Sequence, residues 1–218
     1  HYTAAQKIGG DLYDVFAIDD NRIGVAIADV SGKGISASIL MAICQTNLRH
    51  ISHQLDSPAE VLRAINAQMQ SSMRRDMFIT IIYAIINQAK QEITFARAGH
   101  ELPFFYHRAS DGTCNVETIQ SQGMALGMVP PEIFDLMIKD KTVPFSKDDA
   151  LILYTDGVTE SVNSSGEEYS GERLIETFKN HGNSSAQSIL NHVMDSVHRF
   201  SGDEGQPDDL TLIAIKHS

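Results

Sequence analysis

The sequence predicts an α+β fold in which antiparallel sheets are covered by helices, and three observations predict it. Apolar, β-branched runs follow one another from Phe78 to Ala98 and again up to Thr155 with no helical stretch of comparable strength between them. Helical periodicity is concentrated in two places, between Val30 and Phe78 and after Ser170, each with room for two helices. Consecutive strands do not fit βαβ alternation, which excludes a parallel sheet with crossover helices.

Leu12 to Ile18 and Arg22 to Val30 are apolar runs joined by Asp19-Asp20-Asn21, a hairpin signal. Ala37, Leu40, Met41, Cys44, Leu48, Ile51 and Leu55 then recur at spacings of three and four, the apolar stripe of one helix. Ser57-Pro58-Ala59-Glu60 starts a second helix with a cap, a proline at the first helical position and a capping-box glutamate. Its stripe is Leu62, Ile65, Met69 and Met73, and the methionines here and at Met41 read as core filling. Phe78 to Ile86, the longest apolar run, predicts a strand buried on both faces, paired with Glu92 to Ala98 across Asn87 to Gln91. Further strands are expected at Leu102 to His107, Phe134 to Val143, Ala150 to Thr155 and Leu210 to Lys216. After a long loop from Glu160 to Ser170, one helix carries Leu174, Ile175 and Phe178 and stops near Asn180-His181-Gly182. Another opens at Ser184 and carries Ile189, Leu190, Val193, Met194 and Val197.

The chain has 218 residues, enough for one large core or two small ones. With no repeats, no low-complexity tract and no splitting linker, a single domain over residues 1–218 is expected. Hydrophobic content of 42% and charged content of 21% are globular values, and no apolar run approaches the ~20 residues of a membrane span. A formal charge of −11 argues against nucleic acid and anionic membrane as partners. The same charge would repel a phosphate substrate unless bound divalent cations inverted its sign locally. Cys44 and Cys114 lack metal-ligand spacing, which implies a reducing, cytoplasmic setting without a disulfide framework. There is no signal peptide, and the chain is in motif-like sequence from His1, so the expectation is a domain cut from a longer regulatory protein.

Chemistry is carried by aspartates pinned in glycine-rich corners at the ends of apolar runs. They are Asp11 in GGDLYD, Asp29 in IADVSGKG, Asp156 in LILYTDGVTE, and the pair Asp208 and Asp209 in QPDDLTLIAI. Carboxylates drawn together from distant strand ends would repel one another, and a shared hard cation is the simplest reason to gather them. Oxygen ligands suit magnesium or manganese.

In order and spacing, GGDLYD, DVSGKG, RAGHELP, LGM, LYTDGVTE and PDDLT resemble the SpoIIE/RsbU-type serine phosphatase domains of the metal-dependent, protein phosphatase 2C-like superfamily. The resemblance runs from about Ile8 to Ile215. It implies a four-layer α/β/β/α sandwich, two central mostly antiparallel sheets flanked by helix pairs, holding two Mn²⁺ or Mg²⁺ ions. Carried over by motif, Asp29 would bridge both metals and the Val30 carbonyl would complete one site, with Asp11 contributing from the first motif. Asp156 and Asp208 would hold the other metal, with Asp208 preferred to Asp209 because relatives often have Asp-Asn there. The implied reaction is two-metal hydrolysis, in which water attacks phosphorus in line and no phosphoenzyme forms. The implied substrate is a phosphorylated anti-anti-sigma (STAS-domain) protein in bacterial signalling and stress-response regulation. An upstream sensor or receiver domain in the same chain is implied as well, joined through a helical linker through which a homodimer could form.

The chain departs from other branches of the superfamily. A phosphate-binding arginine before the first acidic motif is replaced by Gln6-Lys7, so either Lys7 or the metals alone hold the phosphate. DVSGKG has no histidine, which excludes an imidazole acid at Ser31. Lys33 does not satisfy the P-loop pattern and reads as part of a tight turn or as a phosphate-facing lysine. Asp14 is either a local cap or a metal contact through water, and His100 is a hydrogen-bonded structural residue or a catalytic one. His50 and His53 could ligate zinc by spacing but lack a third partner, which favours solvent exposure. Two rivals stand beside the phosphatase: a pseudophosphatase binding module, expected to have lost metal carboxylates, and another two-metal phosphoesterase or nuclease, expected to show histidine ligands and a basic groove.

Overall fold

The apolar runs become strands and the periodic stretches become helices in a computed structural model that describes residues 1–3, 10–32, 34–70, 73–74, 76–108, 112–202 and 208–218. The order begins β1 (Tyr2–Thr3), β2 (Leu12–Ala17), β3 (Arg22–Val30), α1 (Ile35–Ser52) and α2 (Pro58–Met69). It continues with β4 (Ile79–Asn87), β5 (Glu92–Ala98), β6 (Phe104–Arg108), β7 (Cys114–Thr118), α3 (Pro131–Met137) and β8 (Lys141–Pro144). It ends with β9 (Ala150–Tyr154), α4 (Asp156–Thr159), α5 (Ser170–His181), α6 (Ala186–Ser201) and β10 (Leu210–Lys216). The chain divides into two compact units. Each holds one antiparallel five-stranded sheet with flanking helices, the α+β class expected.

The first unit contains residues 8–100 and 121–144. Its sheet runs β2-β3-β4-β5-β8. The Asp19-Asp20-Asn21 turn closes the β2–β3 hairpin: Asp19 Oδ1 accepts from the backbone N–H groups of Asn21 and Arg22 at 3.0 and 2.9 Å. The stripe predicted for α1 is the one buried: Ala37, Leu40, Met41, Cys44, Leu48 and Ile51 pack in one core with Leu62, Ile65 and Met69 of α2 and Ile79, Ile81 and Tyr83 of β4. Ser57 caps α2, its Oγ accepting from Glu60 N at 3.1 Å. Asp140 completes the cap from the far end of the unit, accepting from Ser57 Oγ at 2.6 Å and Ala59 N at 2.7 Å.

The second unit contains residues 101–120 and 145–218 with the start of the chain. Its sheet runs β1-β10-β9-β6-β7. Phe104, Tyr106, Ile152 and Leu212 of this sheet pack with Leu174 and Phe178 of α5 and Ile189 and Val193 of α6. Gly182 ends α5 where a Cβ would stand 2.2 Å from the Tyr106 ring, so the helix stop is also a packing requirement.

Three expectations need correction. Phe134 to Val143 is not one strand: Pro130-Pro131 starts helix α3, Phe134 and Ile138, one turn apart, are both fully buried, and only Lys141–Pro144 pairs with β5. The last helix is capped by Ser185 rather than opened by Ser184, with Ser185 Oγ accepting from Ser188 N at 3.3 Å. Strand β7 has no counterpart in the sequence reading, because an edge strand that alternates half-buried and exposed residues shows no long apolar run. Among the described residues no helix is long and apolar enough to cross a membrane.

Candidate functional site

In the first unit the end of the β2–β3 hairpin positions two of the expected acids. Leu12 pairs with Ala28, so the ladder, continued by one residue, sets Asp11 beside Asp29. Both are half-buried. On its other side Asp29 pairs with Thr80 of β4, whose hydroxyl donates to the Asp29 carbonyl at 3.4 Å and lies 2.9 Å from His100 Nδ1. The turn that follows is clamped to β4 by two bonds: Ser31 N donates to the Phe78 carbonyl at 2.9 Å, and Phe78 N donates to Ser31 Oγ at 2.7 Å. Gly32 and Gly34, at φ of 100° and 87°, make this turn in a region that strains any side chain.

Gly10 faces the resulting concavity. A Cβ built on it would lie 3.5 Å from each of three oxygens: Asp29 Oδ1, the Val30 carbonyl and the Gly32 carbonyl. One carboxylate and two carbonyls around a space that a methyl group would fill is an all-oxygen donor set, the kind a hard divalent cation takes. The residues therefore fit the group that the resemblance implies. Among the described residues no three His, Cys, Asp or Glu side chains cluster as a ready cage. Gly10 was not singled out from the sequence, and its role is legible only once the register places it opposite the turn.

In the second unit β9 and β10 pair with Tyr154 opposite Leu212, so Asp156 and Asp208 emerge at the same end of adjacent strands. Thr155, fully buried, locks that end: its N–H donates to the Thr211 carbonyl at 3.1 Å, and its Oγ1 accepts from Thr211 N at 3.1 Å. Gly157 lies against the neighbouring strand so closely that a Cβ would stand 2.0 Å from the Asp209 carbonyl. Asp156 and Asp208 are half-buried, whereas Asp209 is buried. Asp208 Oδ1 accepts from Asp209 N at 2.8 Å. Burial, followed by the fields of Asp156, Glu168, Glu101 and Asp208, pushes the Glu160 carboxyl above its ordinary value. The acids of this end thus raise a local negative potential that a cation would relieve.

Several other candidates resolve into structural roles. Asp14 is buried and gripped by Arg49 of α1, with Nε to Oδ2 at 2.7 Å and Nη2 to Oδ1 at 2.6 Å, while Gln45 adds 3.2 Å. Burial pushes this carboxyl up, but the Arg49 and Gln45 bonds outweigh it and hold the group below its ordinary value. His50 and His53 are exposed. RAGH packs against the segment just before LGM: Arg97 Nε donates to the Ser121 carbonyl at 3.0 Å and its Nη1 to the His100 carbonyl, and a Cβ at Gly99 would stand 2.8 Å from Ala125 N. Lys7 and Lys33 lie outside the described residues.

Comparison with known proteins adds to this geometry. The family model for Stage II sporulation protein E (SpoIIE) matches residues 19–218. The phosphoserine phosphatase RsbU of Bacillus subtilis (strain 168) is 34% identical over 214 residues, 97% of this chain. The chain spans only 60% of that relative's length. Among solved structures, the SiaA-PP2C domain of Pseudomonas aeruginosa superposes with a TM-score of 0.83 at 18% identity, covering 100% of this chain and 84% of that one. RsbX in complex with magnesium superposes with a TM-score of 0.69 at 18% identity, covering 98% and 91%. Likeness at these identities establishes the fold, that of PP2C-type domains with two antiparallel sheets and flanking helices.

Proposed function

Because the chain belongs to the SpoIIE family, we propose that it is a divalent-metal-dependent phosphatase that hydrolyses phosphoserine or phosphothreonine on a protein, residues 1–218 acting as one catalytic domain. The observation that carries the proposal is the set of three oxygens, Asp29 Oδ1 and the carbonyls of Val30 and Gly32, that converge beside Gly10. Similarity to RsbU, a phosphoserine phosphatase, and to the structure of RsbX in complex with magnesium supports the same chemistry for this chain.

Asp11, Asp29 and the Val30 carbonyl would hold one Mn²⁺ or Mg²⁺ ion, and Asp156 and Asp208 another. Bound cations would neutralise phosphoryl charge and lower the pKa of a water nucleophile. The chain's own contribution is rigidity at those oxygens. Thr80 and the Ser31–Phe78 bonds fix the end of β3, so the Asp29 carboxylate and the Val30 carbonyl keep one orientation. Thr155 and Gly157 do the same for Asp156 against β10. Such fixing matters because Mg²⁺ tolerates little departure from octahedral geometry.

The substrate would be a phosphorylated STAS-domain protein, in the cytoplasm, with an upstream sensor or receiver domain governing turnover and a homodimer formed through its linker. The test is phosphate release from an aryl phosphate and from a serine-phosphorylated STAS protein with Mn²⁺, with Mg²⁺ and with EDTA. Activity should require metal on both substrates, and Mn²⁺ should raise the melting temperature of an already folded chain. Full turnover in chelator overturns the reading.

A further inference from the structure

A cavity of about 280 Å³ opens beside the turn that follows Asp29 and Val30. Ser31, Gly32 and Ser36 form one wall, and Arg74, Asp76 and Met77 line it from the α2–β4 connection. Gly32 belongs to both places: it lines the cavity, and its carbonyl is one of the three oxygens beside Gly10. Any group seated in the cavity therefore lies one residue from the candidate cation site of this unit.

Three of the described lining residues, Ser31, Ser36 and Arg74, carry side-chain donors. Ser31 Oγ accepts from Phe78 N, leaving its proton to give, and Ser36 is exposed. Arg74 presents a guanidinium whose Nε and Nη2 engage both carboxylate oxygens of Asp76, at 3.2 and 2.8 Å. Among the described lining residues Asp76 is the one carboxylate, and it is already engaged. Both partners are largely exposed, 70% and 66%, so the pair is worth little and exchanges easily. Asp76 thus shows the geometry in which this fork takes a carboxylate. The cavity is also roomier than one phosphoryl group needs, and Met77 and Ala37 give it apolar surface for the methylenes of a side chain.

We propose that this cavity is a specificity subsite in which Arg74 exchanges Asp76 for an acidic side chain flanking the phosphoserine of the substrate. The proposal rests on the phosphatase reading and extends it to the substrate's sequence: acidic residues beside the phosphoserine favour binding. An arginine is suited to the task because its planar fork pairs with carboxylates through two parallel bonds. In a chain of net charge −11, a guanidinium beside the site also discriminates where an acid can approach.

The experiment measures binding and turnover separately, so that it reports even if hydrolysis fails. Two dye-labelled phosphoserine peptides are used, with Glu or with Gln at the two positions on either side, and dissociation constants are read by anisotropy in Mn²⁺. The unaltered protein should bind the Glu peptide about three- to fivefold more tightly than the Gln peptide, the scale of an exposed ion pair. Arg74→Gln should erase that ratio while leaving hydrolysis of a small aryl phosphate unchanged. Asp76→Asn, which removes the competing carboxylate, should increase the ratio. Opposite effects of two exposed, neighbouring substitutions are not expected from a loss of folding. An unchanged ratio in Arg74→Gln overturns the subsite, as does an equal loss on aryl phosphate, which would assign Arg74 to the phosphoryl group instead. Absence of turnover in the unaltered protein with the Glu preference intact would count against the phosphatase reading alone.

Discussion

At the scale of single residues, the acids differ in how much depends on each. Asp29 sits at the end of a strand hydrogen-bonded on both sides, and one of its carboxylate oxygens converges with two carbonyls beside Gly10. Asp29→Asn should be the most damaging substitution, with Asp11→Asn, Asp156→Asn and Asp208→Asn each costing about 10²-fold or more in kcat on an aryl phosphate. Far-UV circular dichroism should be unchanged in all four. Asp209→Asn should cost less than Asp208→Asn, since Asp209 is buried and its N–H already serves Asp208. The reverse order would make Asp209 the ligand. These candidate acids stand out in the sequence as a set: one carboxylate in a glycine corner is explained by a turn, but several from distant parts of the chain are not. Asp14 does not, because its partner Arg49 is 35 residues away on a helix and no local pattern announces the pair.

At the scale of elements, the strongly periodic pieces were readable and the edge pieces were not. The stripe of α1 and the cap of α2 follow from spacing and from Ser57-Pro58, both local facts. The segment that became α3 and β8 carries β-branched residues that suit a strand, and the two prolines decide otherwise only when Phe134 and Ile138 find a place to be buried. The cap of α2 also has a part no local reading supplies, the Asp140 carboxylate that accepts from Ser57 Oγ and Ala59 N. Asp140→Ala should lower stability by about 1 kcal/mol in urea unfolding. The double variant with Ser57→Ala should lose less than the sum of the two single losses, because both serve one helix end. Additive losses would mean the two act independently.

At the scale of the whole molecule, stability should respond to pH at two limbs with different owners. The ring of His181 stacks on that of His192 at 3.7 Å, and burial, then the charge of His192, hold His181 below its ordinary value of 6.5. A depressed histidine favours the neutral form in the fold, so its contribution is complete above 6.5 and is lost as pH falls below it. Asp14 is held below 3.8 by Arg49 and Gln45 against its burial, so its contribution is present above 3.8 and lost as pH falls through the lower folded value. In thermal melts against pH, His192→Gln should flatten the limb just below 6.5 and leave the acid limb, while Arg49→Gln should do the opposite. A single limb moved by both variants would show that neither group is responsible.

The burial of Cys44 has a consequence in the time domain. Its thiol is fully buried in the core that α1 shares with α2 and the sheet, and burial pushes its pKa up to about 12, so it cannot react while α1 stays packed. Cys114, half-buried on β7, belongs to the other unit and needs far less to be reached. The chain therefore carries two unengineered clocks, one per unit. Treatment with an aromatic disulfide reagent should release chromophore in two phases of equal amplitude, a fast one from Cys114 and a slow one whose rate is the reactivity of an open thiol scaled by how often α1 lifts. Any upstream signal that steadies α1 should lengthen the slow phase and leave the fast one alone, which makes its arrival measurable without substrate, metal or label.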